Sequence, residues 1–208
     1  MKEETAGSSS RTRFFRAARL AFFSAAMLGL AACSGAGPPA AEYVLGKEPA
    51  ATVATVSQTG LPVIELEHIQ IPDYLDTTDI LERTGNRLVP SATGRWGERL
   101  SVGMSRALTM SLAARLPQMV VTATPPSERP ARQVLVNVAA FESRTDHQVI
   151  LVARWSIIDG GTRRILVAEQ SSLVEPIADD SDGAVVAAMS QAVEHLADRI
   201  AAGIESSR

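Results

Sequence analysis

The sequence predicts an α+β fold: a mixed, mostly antiparallel sheet with two helices packed on one face. Three observations carry this expectation. Between Gln133 and Val167, apolar and polar residues alternate along three consecutive runs joined by short turns, the period of half-buried strands. On either side of that block, residues 95–116 and 186–200 repeat apolar positions every three or four residues, the period of a helix. The chain has 208 residues, 46% of them hydrophobic, which is enough for one ordinary core.

The N-terminus is organised for export. Lys2, Arg11, Arg13, Arg16 and Arg19 outweigh Glu3 and Glu4, and Leu20–Ala32 is then an uncharged run of 13 residues. That is signal-peptide length and short of the roughly 20 apolar residues a spanning helix needs. The run closes on Leu30-Ala31-Ala32-Cys33, followed by Ser34-Gly35, which resembles the bacterial lipobox. Cleavage is then expected between Ala32 and Cys33, with diacylglycerol carried on the Cys33 thiol. The competing reading is a free cysteine behind an ordinary signal peptide or a failed membrane span. Position, run length and the tetrad together favour the lipobox, and an exported chain with one cysteine has no internal disulfide to make. A diacylglycerol plus an amide-linked chain exceeds the two-signal threshold for stable anchoring. Ser34 is not the retention residue Asp, which by the enterobacterial sorting rule directs the mature protein to the outer membrane.

Residues 33–41 are small and rich in Gly and Pro and read as a tether, leaving 42–208 as a single globular domain. From residue 33 onward there are 15 basic and 21 acidic residues, a net charge of −6. That balance argues against non-specific binding to nucleic acid or anionic lipid. No cofactor beyond the covalent lipid is expected, and no internal repeat marks a solenoid.

Within the domain, Tyr43-Val44-Leu45 is a candidate first strand, and 49–60 reads as loop. In Leu61–Ile71 the apolar alternation runs through Ile64 and Leu66, then changes phase to Ile69 and Ile71, which predicts a strand with a bulge near His68. Pro72 ends it. Thr84-Gly85-Asn86 is a hairpin turn between two short strands in 78–90. Trp96, Leu100, Met104, Leu108, Leu112 and Leu116 then recur every four residues, which predicts a helix over 95–116 stopped by Pro117. Met119–Thr122 is a short strand. The meander follows, with Val134, Val136 and Val138, then Val149 to Ile157, then Asp159-Gly160-Gly161 turning into Ile165 and Val167. Val186, Met189, Val193, Leu196 and Ile200 mark a last helix started by the Asp180–Asp182 cluster. Its apolar seam spans little over two heptads, so packing on the sheet is a better reading than a coiled coil.

Chemistry-bearing residues are sparse. His68, His147 and His195 fall on a strand, a turn and the last helix, without metal-ligand spacing. Asp73, Asp76 and Asp79 cluster in one loop and Asp179, Asp180 and Asp182 in another. Acidic turns of that kind are far commoner as solvated loops or helix starts than as acid–base sites, which need a shaped cleft. Gly160-Gly161 lacks a following helix and is a turn, not a phosphate cradle. Trp96 and Trp155 lie on apolar faces and read as core. An exported chain without a catalytic constellation is expected to be an assembly or binding part, not an enzyme.

Several strings resemble a known family. Pro72-Asp73-Tyr74-Leu75-Asp76, Ile80-Leu81-Glu82-Arg83 and Arg95-Trp96-Gly97-Glu98-Arg99-Leu100 are similar to the P-x-Y-L-D, I-V-x-R and R-W-A-E-x-L signatures of the PqiC/YmbA lipoproteins. Phe141-Glu142 and Leu151-Val152-Ala153-Arg154-Trp155 resemble that family's later strands. The strings occur in the family's order behind a lipobox, and they span nearly all of the mature chain. Gly97 replaces the usual Ala in what the family pattern makes a first helical turn.

The resemblance implies an auxiliary lipoprotein of an ABC-type transport system, partnered by an MCE-domain protein that carries lipid across the periplasm. The lipoprotein would dock that assembly at the outer membrane, as a homo-oligomeric ring in one form of the idea, and support membrane integrity. For the motif residues it implies service to the fold: a turn at Pro72 and Asp76, and buried rings at Tyr74 and Trp96. Leu75, Arg83, Arg95, Glu98 and Trp155 complete the set. The alternative is a structural or assembly lipoprotein, such as a pilotin or a partner of an outer-membrane barrel.

Overall fold

The computed structural model describes residues 39–48 and 59–207. The expected signal peptide, the Ala32–Cys33 cleavage site, most of the tether and most of the 49–60 loop lie outside the described residues. Among the described residues eight strands and two helices follow in the order β1 Ala41–Tyr43, β2 Val63–Leu66, β3 Asp79–Thr84, β4 Arg87–Trp96, α1 Leu100–Arg115, β5 Val120–Thr122, β6 Arg132–Arg144, β7 Gln148–Asp159, β8 Ile165–Pro176 and α2 Asp182–Ser206. β1 sits two residues earlier than the Tyr43–Leu45 expectation, because it is defined by pairing with β4 and not by its own apolar pattern.

The sheet is mixed. Its long pairings, β3–β4, β6–β7 and β7–β8, are antiparallel. The parallel ones, β1–β4, β2–β5, β2–β6 and β3–β6, run for two or three residues each. β6 is the hub. One of its edges is filled by β7, and the other is shared by β2 near Val134 and β3 near Ser143. The phase change in 61–71 has the predicted cause. Leu66 faces Val134 and Gln70 faces Asn137, so four steps on one strand oppose three on the other. That extra residue lets Leu66 and Ile69 both reach the core.

Both helices lie on one face, α2 across β4, β6, β7 and β8, and α1 beside it near β5. The alternating residues Val134, Val136, Val138, Leu151, Ala153, Trp155 and Ile157 meet the helix stripes Met104, Leu108 and Leu112 and Met189, Val193, Leu196 and Ile200 in one core. α2 begins as its composition requires, with the Ser181 hydroxyl accepting from the Ala184 N–H at 3.2 Å. Two turns depend on glycine. Gly85 takes φ +61° in the β3–β4 hairpin, and a Cβ on Gly160 would lie 1.8 Å from the Pro130 carbonyl oxygen.

The predicted helix over 95–116 is corrected at its start. Arg95 and Trp96 complete β4, where they face Glu42 and Tyr43 of β1. Gly97 belongs to the bend between strand and helix, and its N–H donates to the Tyr43 carbonyl at 2.8 Å. The spacing from Trp96 to Leu100 happens to match one helical turn, but the backbone groups of 95–97 are already taken by β1 and by the Thr78 carbonyl.

Candidate functional site

Most of the motif residues lie near the place where β1, β3 and β4 meet the start of α1, while Trp155 stands apart on β7. Pro72 opens a turn, its carbonyl accepting from the N–H groups of Leu75 and Asp76 at 2.9 and 3.2 Å. Leu75 is carried into the core. Asp76 is turned toward α1, whose own N-cap residue, Arg99, offers no capping side chain. Asp76 Oδ1 instead accepts from the Ser101 N–H at 3.0 Å, and Oδ2 accepts from Arg99 Nε at 3.1 Å. The Thr77 carbonyl takes the Leu100 N–H. The loop 72–77 therefore supplies a cap that the helix lacks locally. Burial raises the Asp76 carboxyl pKa, but the Ser101 donors and the Arg99 guanidinium outweigh it and hold the group below the usual carboxylate range.

Arg83 on β3 reaches across to Glu142 on β6 with two guanidinium nitrogens, Nε donating to Oε1 and Nη2 to Oε2 at 3.0 Å. The Glu142 side chain is 2% exposed, so this is a carboxylate removed from water and held by a bidentate cation. The Glu142 bond, partly opposed by burial, pushes the Arg83 pKa further up. Tyr74 is not the buried ring that the motif implied. It is 44% exposed, lying under the Arg83 guanidinium at 5.7 Å from ring centre to Cζ. The turn that buries Leu75 places its neighbour on the outside, where stacking on Arg83 is available and the core is not.

Trp96 and Trp155 are core residues, each 3% exposed. Trp155 donates its indole N–H to Ser171 Oγ at 3.0 Å. Arg95 pairs with Glu42 at the surface at 2.6 Å. Glu98 accepts from Arg106, which also reaches the Leu45 carbonyl, tying the β1 exit to α1. The charges of Asp76, Arg83, Arg95 and Glu98 are thus all met within the fold.

The histidines and remaining acids are not brought together. His68 borders a pocket of about 550 Å³ on the sheet face opposite the helices. His147 approaches Asp180 at 3.4 Å in the exposed β6–β7 turn. His195 Nδ1 lies 2.6 Å from Glu175 Oε1, with Nε2 against the Gln191 amide. Asp182 accepts from the Thr93 hydroxyl, and Asp179 from the Ser181 N–H. Asp79 starts β3. Among the described residues no group of three or more His, Cys, Asp or Glu side chains is placed to hold a metal ion.

One polar centre is absent from the sequence reading. Glu194 of α2 is buried between the helices, accepting from the Ser111 hydroxyl at 2.6 Å and from Arg115 at 2.9 Å, with Lys47 at 3.5 Å. Burial raises its pKa, and Ser111, Arg115 and Lys47 together overcome that and lower it. Nothing in the Val193-Glu194-His195 string separates it from a solvated acid. Its burial comes from the approach of α1.

The chain matches the family model described as the ABC-type transport auxiliary lipoprotein component over residues 43–201. No curated protein matches it at a significant level. Among solved structures it is similar to an uncharacterized protein at a TM-score of 0.64 and 20% identity, covering 69% of this chain and 92% of that one. It is also similar to protein XCC0632 from Xanthomonas campestris at a TM-score of 0.58 and 13% identity, covering 78% and 90%. Those likenesses support the α+β fold. No helix among the described residues is long and apolar enough to cross a membrane. The matched family is a transport component and not an enzyme class. With the family match running from the end of β1 through most of α2, well over half of the chain, this chain belongs to the ABC-type transport auxiliary lipoproteins.

Proposed function

We propose that the mature protein begins at a lipidated Cys33 and is anchored on the periplasmic face of the outer membrane. There it docks the MCE-domain protein of an ABC-type lipid transport system and so supports envelope integrity. Residues 33–41 act as the tether and 42–208 as the docking domain. The match to a transport auxiliary family over 43–201 is the observation that carries this reading. Two sequence features support the rest: Leu30-Ala31-Ala32-Cys33 stands eight residues before β1, and Ser34 follows the cysteine where a retained lipoprotein carries Asp. The motif charges are neutralised inside the fold, which fits a shaped docking surface better than a reacting site.

The test is crosslinking in cells followed by purification of the lipoprotein and mass spectrometry. An MCE-domain protein and the permease or ATPase of its system are expected among the linked partners. Recovery of an outer-membrane barrel or secretin in their place would replace this reading with the assembly-lipoprotein alternative.

A further inference from the structure

Pockets of about 450, 550 and 660 Å³ open among the described residues. In the smallest and the largest, the cations and hydroxyls are already committed to the fold. Arg106 is held by Glu98 and the Leu45 carbonyl, and Ser105 and Thr109 donate back to their own helix. Arg132 is held by Asp159 and by the Ala131 and Ser207 carbonyls. The 550 Å³ pocket, on the sheet face opposite the helices, keeps its donors free.

Its shape follows from the strand register. Leu135, Ser156 and Ala168 are successive cross-strand partners on β6, β7 and β8, and Asn137, Arg154 and Gln170 form the next row. Ile158 and Ile165 are partners in the row on the other side. Two residues of strand separate neighbouring rows, so the small side chains of Ser156 and Ala168 leave a trough about 13 Å long between Arg154 and Ile158. At its apolar end Ile165 is 64% exposed. At its polar end Arg154 Nε donates to Gln170 Oε1 at 3.2 Å, which leaves the amide Nε2 as a donor. Among the described residues Arg154 Nη1 and Nη2 and Gln170 Nε2 have no acceptor. These three nitrogens suit an anion with three oxygens, which a phosphate monoester offers and a carboxylate does not. Glu67 and Glu169 also border the trough, but neither pairs with Arg154. Their charge disfavours an anion elsewhere in the trough and confines it to the Arg154 end.

We propose that this trough binds a phosphate-headed amphiphile, with the phosphate on Arg154 and Gln170 and the apolar chain across Ser156 and Ala168 toward Ile165. The free edge of the guanidinium takes two phosphate oxygens as a bidentate pair, and the Gln170 amide takes the third. The chain removes Ile165 and the half-buried Leu135 from water. The volume falls within the roughly 300–1,000 Å³ of small-molecule sites, and the polar groups gather at one end, as an amphiphile requires. The site needs no docking partner, so it and the transport reading can fail separately.

The experiment uses the full lipoprotein in the uncharged detergent dodecyl maltoside, with binding of octyl phosphate, inorganic phosphate and octanol read by equilibrium dialysis. Partition into micelles is common to the parent and its variants and cancels between them. Octyl phosphate is expected to bind saturably, one per chain, and about tenfold or more tighter than inorganic phosphate or octanol. Arg154→Gln should weaken octyl phosphate by about tenfold or more, through loss of the charged bidentate pair. Ile165→Ser should weaken octyl phosphate and leave inorganic phosphate unchanged. Both side chains are exposed, so both variants should melt as the parent does. Parent-like binding of octyl phosphate by either variant would overturn the proposal. Inorganic phosphate or octanol binding as tightly as octyl phosphate would overturn it as well.

Discussion

Asp76 caps a helix that begins 24 residues after it: its Oδ1 accepts the N–H of Ser101 at 3.0 Å, in the first turn of α1. The bond explains why an acid stands at the end of the Pro72–Asp76 string and why α1 starts well without a capping residue of its own. Asp76→Ala should cost about 1 kcal/mol, the usual loss for a removed N-cap acceptor, read from denaturant midpoints. The bond also sets a pH dependence. The folded pKa is depressed, so the unfolded state binds more protons and this stabilisation is complete above the ordinary carboxylate pKa of about 4. It is lost as pH falls through the folded value. Below about pH 4, Asp76→Asn should therefore lose less stability with acidification than the parent. Equal slopes would remove Asp76 as the titrating group.

Arg83 and Glu142 form the most buried ion pair that the motif residues make. Arg83→Met leaves the Glu142 carboxylate without its cation and should cost about 3–5 kcal/mol. The double change Arg83→Met with Glu142→Leu should recover much of that loss, since it leaves no unpaired charge. Denaturation of the four proteins in a cycle measures the coupling. Additive losses would show that the pair is not coupled.

The aromatic motif residues should divide by burial. Trp96→Ala and Trp155→Ala should each cost about 3–5 kcal/mol, whereas Tyr74→Ala should cost about 1 kcal/mol or less. Loss of envelope integrity, read as detergent sensitivity of cells, should follow the melting temperature through this series. A Tyr74 variant that melts normally yet fails in cells would make the exposed ring a docking residue.

Gly203 of α2 lies against the Trp155 ring, where an added Cβ would come within 3.0 Å of it and 2.9 Å of Ile157 Cδ1. Gly203→Ala gains up to about 1 kcal/mol of helix propensity. Overpacking a filled core costs about 1–3 kcal/mol, so the substitution should be net destabilising. A raised melting temperature would mean that the core yields there.

Lipid attachment at Cys33 and sorting by Ser34 are separable. Cys33→Ser should abolish palmitate labelling and release the domain or leave a precursor. The parent should sediment with outer-membrane markers on a sucrose gradient. A labelled protein found in the inner membrane would sink the sorting claim and leave lipidation standing.

Features that depend on local period and turn chemistry are legible in the residue order alone. The three meander strands follow from alternation through Val134–Val138 and Val149–Ile157, because a strand buried on one face must place every second residue in the core. The Gly85 hairpin, the bulge before Gln70 and the seam of α2 are local in the same sense. Tertiary structure decided whatever depends on a partner far along the chain. Trp96 belongs to β4 and not to α1 because β1, more than fifty residues earlier, takes its place beside it. Glu142 meets its cation because β3 pairs with β6 and brings Arg83 to it, and the exposed Tyr74 ring finds the same guanidinium. Glu194 is buried by α1 and held there by Ser111 and Arg115, 83 and 79 positions away. Periodicity reports which face of an element turns inward, and only packing reports which neighbour it will meet there.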